Sequence, residues 1–312
     1  MTRALALSGG GAKGAFQVGA LRALAARGIS FDLFTGVSVG ALNAALAARG
    51  KLDDLEAFWK TATNDTVYRR DTSVLPWLVR LFSAEAADLV SAARRGYIYD
   101  SAPLRAALEA KAGDPPPRNL RVGFVNLESG LFHRGATAAA VLASASMPLY
   151  FPVVDVPGVG RACVDGGLRH VTPLSLAFDL LKKRPADPSD ELWAIVCTPL
   201  KRLAPVPIDG RNALKTLTRT VDLITDQIFR EDLLYAADIN AALAAGGAGP
   251  FRSPKYRRVS LKVIAPQDDL GGTLSFDPRA AARAMELGAA AAARPLDGTE
   301  LRSAIDPMDG EA

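Results

Sequence analysis

Residues 3–50 read RALALSGGGAKGAFQVGALRALAARGISFDLFTGVSVGALNAALAARG, and this stretch decides the fold class. Residues 3–7 are a short apolar run, the pattern of a strand buried on both faces. Ser8 to Gly14 is a glycine-rich turn, and Ala15 to Arg27 reads as a helix stopped by Gly28. Ile29 to Thr35 is a second strand-like run. It enters the sharp sequence Gly36-Val37-Ser38-Val39-Gly40, which leads into a helix to Arg49 that stops at Gly50. Two strand–turn–helix units at such close spacing are what a parallel sheet with helical crossovers requires.

Working outward, Asp53 to Leu108 is helical and more polar, carries Trp59 and Trp77, and breaks near Gly96; it reads as a helical excursion over the sheet. Pro115-Pro116-Pro117 is a stiff connector, Leu120 to Asn126 returns to a strand pattern, and Glu128-Ser129-Gly130 suits a hairpin turn into Leu131 to Arg134. An alanine-rich segment precedes Cys163-Val164-Asp165-Gly166-Gly167. A helix from Pro173 to Lys183 and a strand from Leu192 to Cys197 then rebuild the sheet, which favours one domain over residues 1–312. Its core would run over about 3–200, with a helical part over about 205–295 packed on it. Within residues 212–245, Leu214, Leu217, Val221, Ile224 and Ile228 form an apolar stripe at helical spacing, read as a core-facing side. Val259 to Ile264 is the last strand, Pro278 to Ala293 the last helix, and the acidic end from Asp306 is expected to fray.

The 312 residues are 49% hydrophobic and 22% charged, ordinary globular values, and 37 basic against 33 acidic residues give a mixed surface without a nucleic-acid footprint. Two histidines, His133 and His170, and two cysteines, Cys163 and Cys197, argue against multi-ligand metal sites and disulfide frameworks. The start shows no basic segment followed by an apolar stretch and a cleavage site. The longest charge-free run, Gly135 to Val154, is interrupted by Pro148 and Pro152, so it reads as a helix followed by an extended loop and not as a membrane span. The expectation is a soluble, cytoplasmic chain with reduced thiols, no metal and no cofactor. Its oligomeric state is not legible.

Gly36 to Gly40 matches G-x-S-x-G between a strand and a helix, the context in which a serine is forced out of the sheet at a helix N-terminus. A plain N-cap role for Ser38 is the competing reading. Gly9, Gly11 and Gly14 also satisfy G-x-G-x-x-G, but no acidic residue stands at the tip of the following strand, and no Lys-Ser or Lys-Thr pair follows Gly14. What remains is a run of unobstructed backbone donors suited to an anion. Beside a serine nucleophile that anion is the oxyanion of acyl transfer, with Lys13 adding positive charge. Neither histidine has an obvious claim as the base. Asp165 ends a strand-like run and is followed by Gly166-Gly167, although an Asp-Gly pair is often only a turn.

Taken together and in this order, Gly9 to Gly14, the serine elbow and Asp165-Gly166-Gly167 resemble the patatin-like phospholipase family. Ser144-Ala145-Ser146-Met147-Pro148 with Phe151-Pro152, Tyr99-Asp100 with Pro103-Leu104, and Pro173-Leu174 add to the resemblance, which covers about residues 3 to 180. It implies a single three-layer α/β/α domain with a mostly parallel central sheet. It further implies Ser38 as nucleophile, Asp165 as its direct partner in a Ser-Asp dyad, and an oxyanion hole from Gly9, Gly10 and Gly11, with Lys13 and Gly14 supporting. Gly36, Gly40, Gly166 and Gly167 would frame these groups. The implied substrate is a lipid or phospholipid ester, with peripheral contact to a membrane surface. Val39 stands where the family often has alanine, so it is expected to narrow the acyl entrance or crowd the hole. Two rivals remain: an acyltransferase on the same nucleophile, although transacylases usually place a histidine where Val37 or Val39 stands, and a nucleotide-binding protein using the Gly9–Gly14 loop.

Overall fold

The computed structural model describes residues 1–70, 94–112, 115–201, 203, 205–208, 213–245 and 256–305; Trp77 and the acidic end from Asp306 lie outside them. In chain order the elements are β1 (Arg3–Leu7), α1 (Ala15–Ala26), β2 (Leu33–Val37), α2 (Val39–Ala47), α3 (Leu52–Thr61), α4 (Asn64–Val67), β3 (Arg69–Arg70), β4 (Tyr99–Asp100), α5 (Ala102–Ala112), β5 (Leu120–Asn126), β6 (Phe132–Gly135), α6 (Ala138–Ser144), β7 (Val154–Val156), β8 (Gly160–Asp165), α7 (Leu174–Leu181), β9 (Glu191–Ile195), α8 (Ala213–Ala244), β10 (Ser260–Ile264), α9 (Pro278–Ala291), β11 (Leu296–Asp297) and α10 (Leu301–Ala304). A 3-10 turn over Gly11–Gly14 precedes α1. β2 begins four residues later than the apolar run at Ile29 because α1 first closes on a Schellman turn. The Gly28 amide donates to Ala25 O at 2.9 Å, the Ile29 amide donates to Leu24 O at 3.0 Å, and Gly28 takes φ +74°.

Period-two alternation places each strand between two layers. In β1, Leu5 and Leu7 enter one core, with α1, α2 and α3, while Ala4 and Ala6 enter the other, with α7 and Phe229 and Leu233 of α8. The main sheet runs β11-β10-β9-β1-β2-β5-β8-β7, with β6 also on β5. Only β10, β9, β1, β2 and β5 are mutually parallel. β11, β6, β8 and β7 join antiparallel, so the sheet is mixed where a mostly parallel one was expected. The reason is connection length: only Pro157–Val159 separates β7 from β8, and so short a link permits an antiparallel pair alone.

One register positions the site. β6 pairs with Val122 to Val125 of β5, while β2 pairs with Leu120 to Gly123 and β8 with Phe124 to Asn126. A strand has two edges, so β2 and β8 must share the edge that β6 leaves open. They meet there head to head, Val37 opposite Gly123 and Asp165 opposite Phe124. The residue leaving the end of β2 is Ser38.

The apolar stripe read into α8 is corrected. Leu217 is 43% and Ile224 54% exposed, whereas Asp226, Phe229, Arg230, Leu233, Ala236 and Ala237 are buried. Among the described side chains the buried ones lie beyond the first third of the helix, with Ile228 of the predicted stripe partly buried beside them, on a face that includes an ion pair, Arg230 Nε to Asp226 Oδ2 at 2.8 Å, with Arg230 also donating to Leu200 O at 2.8 Å. Apolar spacing cannot register a face of that composition. Among the described residues no helix is long and apolar enough to cross a membrane, and residues 138–144 form a short helix followed by loop.

Candidate active site

Ser38 sits between β2 and α2 with φ 57° and ψ −132°, a conformation a non-glycine residue holds only when its surroundings enforce it. The flanking glycines allow that turn. A Cβ on Gly36 would lie 2.2 Å from Gly40 O, and one on Gly40 would lie 2.2 Å from Leu7 O and 2.5 Å from Ser8 O. The elbow therefore closes against its own helix and the end of β1.

The glycine loop runs alongside. A Cβ on Gly9 would stand 3.2 Å from the Ser38 Cβ, so the bare backbone faces the serine. The Gly9 amide, however, donates to Val171 O at 3.0 Å, so Gly9 supplies space beside the serine and not the oxyanion donor expected of it. Gly11 has φ +57° and lies so close to Thr273 that a Cβ would be 2.1 Å from its carbonyl oxygen. Buried amides behind the loop hold it. Gln17 Nε2 donates to Ser8 O at 2.8 Å, Asn43 Nδ2 to Gly14 O at 3.0 Å and to Gln17 Oε1 at 2.8 Å, and Trp59 Nε1 to Asn43 Oδ1 at 3.1 Å. Asn43 lies on the helix that follows Ser38, so loop and elbow are clamped to each other. Sequence reading missed this network, although a lone Gln and a lone Asn inside the apolar runs of α1 and α2 are its signal, because a buried amide without partners is costly.

The expectation that Val39 narrows the acyl entrance is also corrected. Val39 is buried, and its Cγ2 lies 2.5 Å from where a Gly14 Cβ would stand, with the Trp59 ring at 2.9 Å. The missing side chain at Gly14 makes room for the valine inside the core. Lys13 Nζ is held by Asp269 Oδ1 at 2.8 Å. Cys197, packed behind Gly10, remains a thiol, since burial pushes it up to about 12.

Asp165 is buried where β8 ends. Its Oδ1 accepts the Gly167 amide at 2.7 Å, and its own amide donates to Ser146 O at 2.9 Å. Gly166 passes so near β5 that a Cβ would lie 2.3 Å from Gly123 O. Burial lifts the Asp165 carboxyl to about 6, against the opposing pull of the Gly167 amide hydrogen-bonded to it and of the neighbouring Ser38 hydroxyl. The structure thus brings Ser38, Asp165 and the glycine loop together. The histidines are engaged elsewhere: His133 stacks on Phe124 with ring centroids 5.8 Å apart, and His170 Nδ1 is 2.9 Å from Asp232 Oδ1 with its ring edge-on to Phe132.

NTE family proteins of Mycobacterium tuberculosis and Mycobacterium bovis are 30% identical over 176 residues, 55% of this chain and 44% of theirs. The chain thus spans less than half the length of these curated relatives. Lysophospholipase nte1 of Aspergillus terreus is 53% identical over 45 residues, 14% of this chain and 3% of its own. Among solved structures, VipD from Legionella pneumophila aligns over 97% of this chain and 67% of its own, at 14% identity and a TM-score of 0.44. The family model described as patatin-like phospholipase matches residues 5–178, from β1 through the glycine loop, the serine elbow and Asp165 into α7. The chain belongs to the patatin-like phospholipase family.

Proposed function

We propose that the protein is a serine acyl hydrolase of lipid esters in which Ser38 attacks and Asp165 moves the proton. The observation that carries this reading is the β5 register, which sets Ser38 at the end of β2 beside the buried Asp165 at the end of β8, where burial lifts the carboxyl to about 6. An ordinary carboxylate is a weak base for an alcohol; one lifted toward neutrality is stronger and still ionised at pH 7–8. Asp165 takes the Ser38 proton as Oγ adds to the ester carbonyl, and the amides of Gly10 and Gly11 receive the oxyanion. Collapse expels the alcohol, which takes the proton from Asp165 and leaves an acyl-Ser38. Water then gives its proton to Asp165, attacks the acyl carbon and releases the acid, with the proton returning to Ser38. Family membership and the lysophospholipase among the relatives support a lipid ester. Leu127 and Leu131 beyond β5 and Leu168 just after Asp165 are exposed, an apolar surface for a lipid aggregate to meet.

A fluorophosphonate is expected to add once to the intact protein, on Ser38, with no adduct in Ser38→Ala. An adduct that persists in the variant would sink the assignment. With p-nitrophenyl esters, kcat/KM is expected to rise with pH through about 6 and level off above about 7, because the base must be ionised; at pH 5 about a tenth of the plateau remains. A flat profile from pH 5 to 8 would remove Asp165 as the base. Release of free acid without an acylated glycerol product separates hydrolysis from transfer.

A further inference from the structure

We infer that Ser144 is a positioning residue for the nucleophile, an assignment that rests on Ser38 acting as proposed above. Ser144 ends α6 and is fully buried. Its Oγ accepts the Ser38 backbone amide at 3.0 Å and donates its single proton to Gly123 O at 2.6 Å. Both halves of the hydroxyl are used, so its orientation is set. Gly123 is the β5 residue opposite Val37, and the same carbonyl lies under Gly166. The hydroxyl is therefore anchored on the backbone at the point where β2 and β8 meet. Two residues further on, Ser146 O accepts the Asp165 amide. One short segment at the end of α6 thus holds the main chain of both Ser38 and Asp165.

The consequence follows from strain. Ser38 at φ 57° lies outside the regions that L-residues prefer, and what holds it there determines where its Oγ points. Removing the Ser144 hydroxyl leaves the Ser38 amide and Gly123 O without this partner. The elbow is then free to relax, and Oγ moves relative to Asp165 and the glycine loop. A displacement of about 1 Å at reacting atoms costs roughly 100-fold in rate.

The test compares Ser144→Ala with Thr137→Ala, which removes the hydroxyl that accepts the Ala140 amide at the other end of α6, remote from the elbow. In Ser144→Ala, kcat is expected to fall about 10- to 100-fold with KM within about twofold, and fluorophosphonate labelling of Ser38 to slow in parallel. Hydrogen exchange at the Ser38 amide should accelerate. Thr137→Ala should lower Tm yet keep kcat within about twofold. Ser144→Cys, of similar size but a weaker acceptor, should fall between wild type and alanine, and it serves if the alanine variant does not fold. A labelled Ser38 with unchanged kcat in Ser144→Ala overturns the positioning role alone, as does an equal kcat loss in Thr137→Ala at the same Tm. A wild type labelled elsewhere than Ser38 overturns the nucleophile, and the role of Ser144 with it.

Discussion

Asp165→Asn is expected to lose ester turnover by about 10³-fold or more while becoming harder to melt at pH 8. The two effects share one cause. Burial lifts the Asp165 carboxyl from 3.8 to about 6, so the folded chain favours the protonated form. A raised carboxyl contributes stability that is fully present below its unfolded value and is lost as pH rises through the folded one. At pH 8 the ionised group therefore costs on the order of 3 kcal/mol relative to its solvated state. Asparagine is neutral, nearly the same shape, and keeps an oxygen for the Gly167 amide. It removes the charge penalty together with the base. Calorimetry is expected to show the variant melting several degrees above wild type at pH 8, with the gap reduced to about half at pH 5, since it closes only below the unfolded value of 3.8. A gap of equal size at both pH values, or turnover retained in the variant, would falsify the role of the buried charge. On the proposed role of Asp165, activity and stability conflict at this position, because a base near neutrality has to be held where water does not solvate it.

Gly40→Ala is expected to destabilise the fold by about 3 kcal/mol or more, with loss of labelling at Ser38. The added Cβ would stand 2.2 Å from Leu7 O and 2.5 Å from Ser8 O. Those carbonyls belong to the end of β1, which is paired to β2 on one side and β9 on the other, so neither can yield without disturbing the centre of the sheet. Gly50 is the comparison. It has φ +70° and nothing within 4 Å of an added Cβ, so Gly50→Ala should cost only the left-handed backbone strain, about 1 kcal/mol. Urea denaturation of both variants measures the difference. Equal losses would mean that close approach is not what requires glycine at position 40.

The first fifty residues were legible because their information is local. A glycine that stops a helix, an apolar run flanked by turns and a serine between two glycines each constrain φ and ψ within a few residues, so the elbow, the glycine loop and the Asp-Gly-Gly turn could be read in place. Elements whose geometry depends on distant partners were not legible. The apolar period along α8 pointed to Leu217 and Ile224, yet the face that packs carries Arg230 and Asp226, a pair that joins a buried surface only because Leu200 O also receives the guanidinium. Gly9 looked like an oxyanion donor until Val171 O took its amide. Gln17 and Asn43 are polar residues inside apolar helical runs, and only the fold shows that they hold the carbonyls of Ser8 and Gly14.

What the sequence by itself determined is therefore the chemistry available and the local turns that present it: a serine in a strand-to-helix elbow, an unobstructed glycine loop and an aspartate in a glycine-framed turn, within an α/β chain. Only the tertiary structure decided that these groups meet. β2 and β8 end at adjacent residues on one edge of β5, approaching from opposite directions, and this register sets Ser38 beside Asp165. The same packing withdraws Asp165 from water and moves its pKa, since desolvation belongs to the assembled layers and not to any short segment of chain.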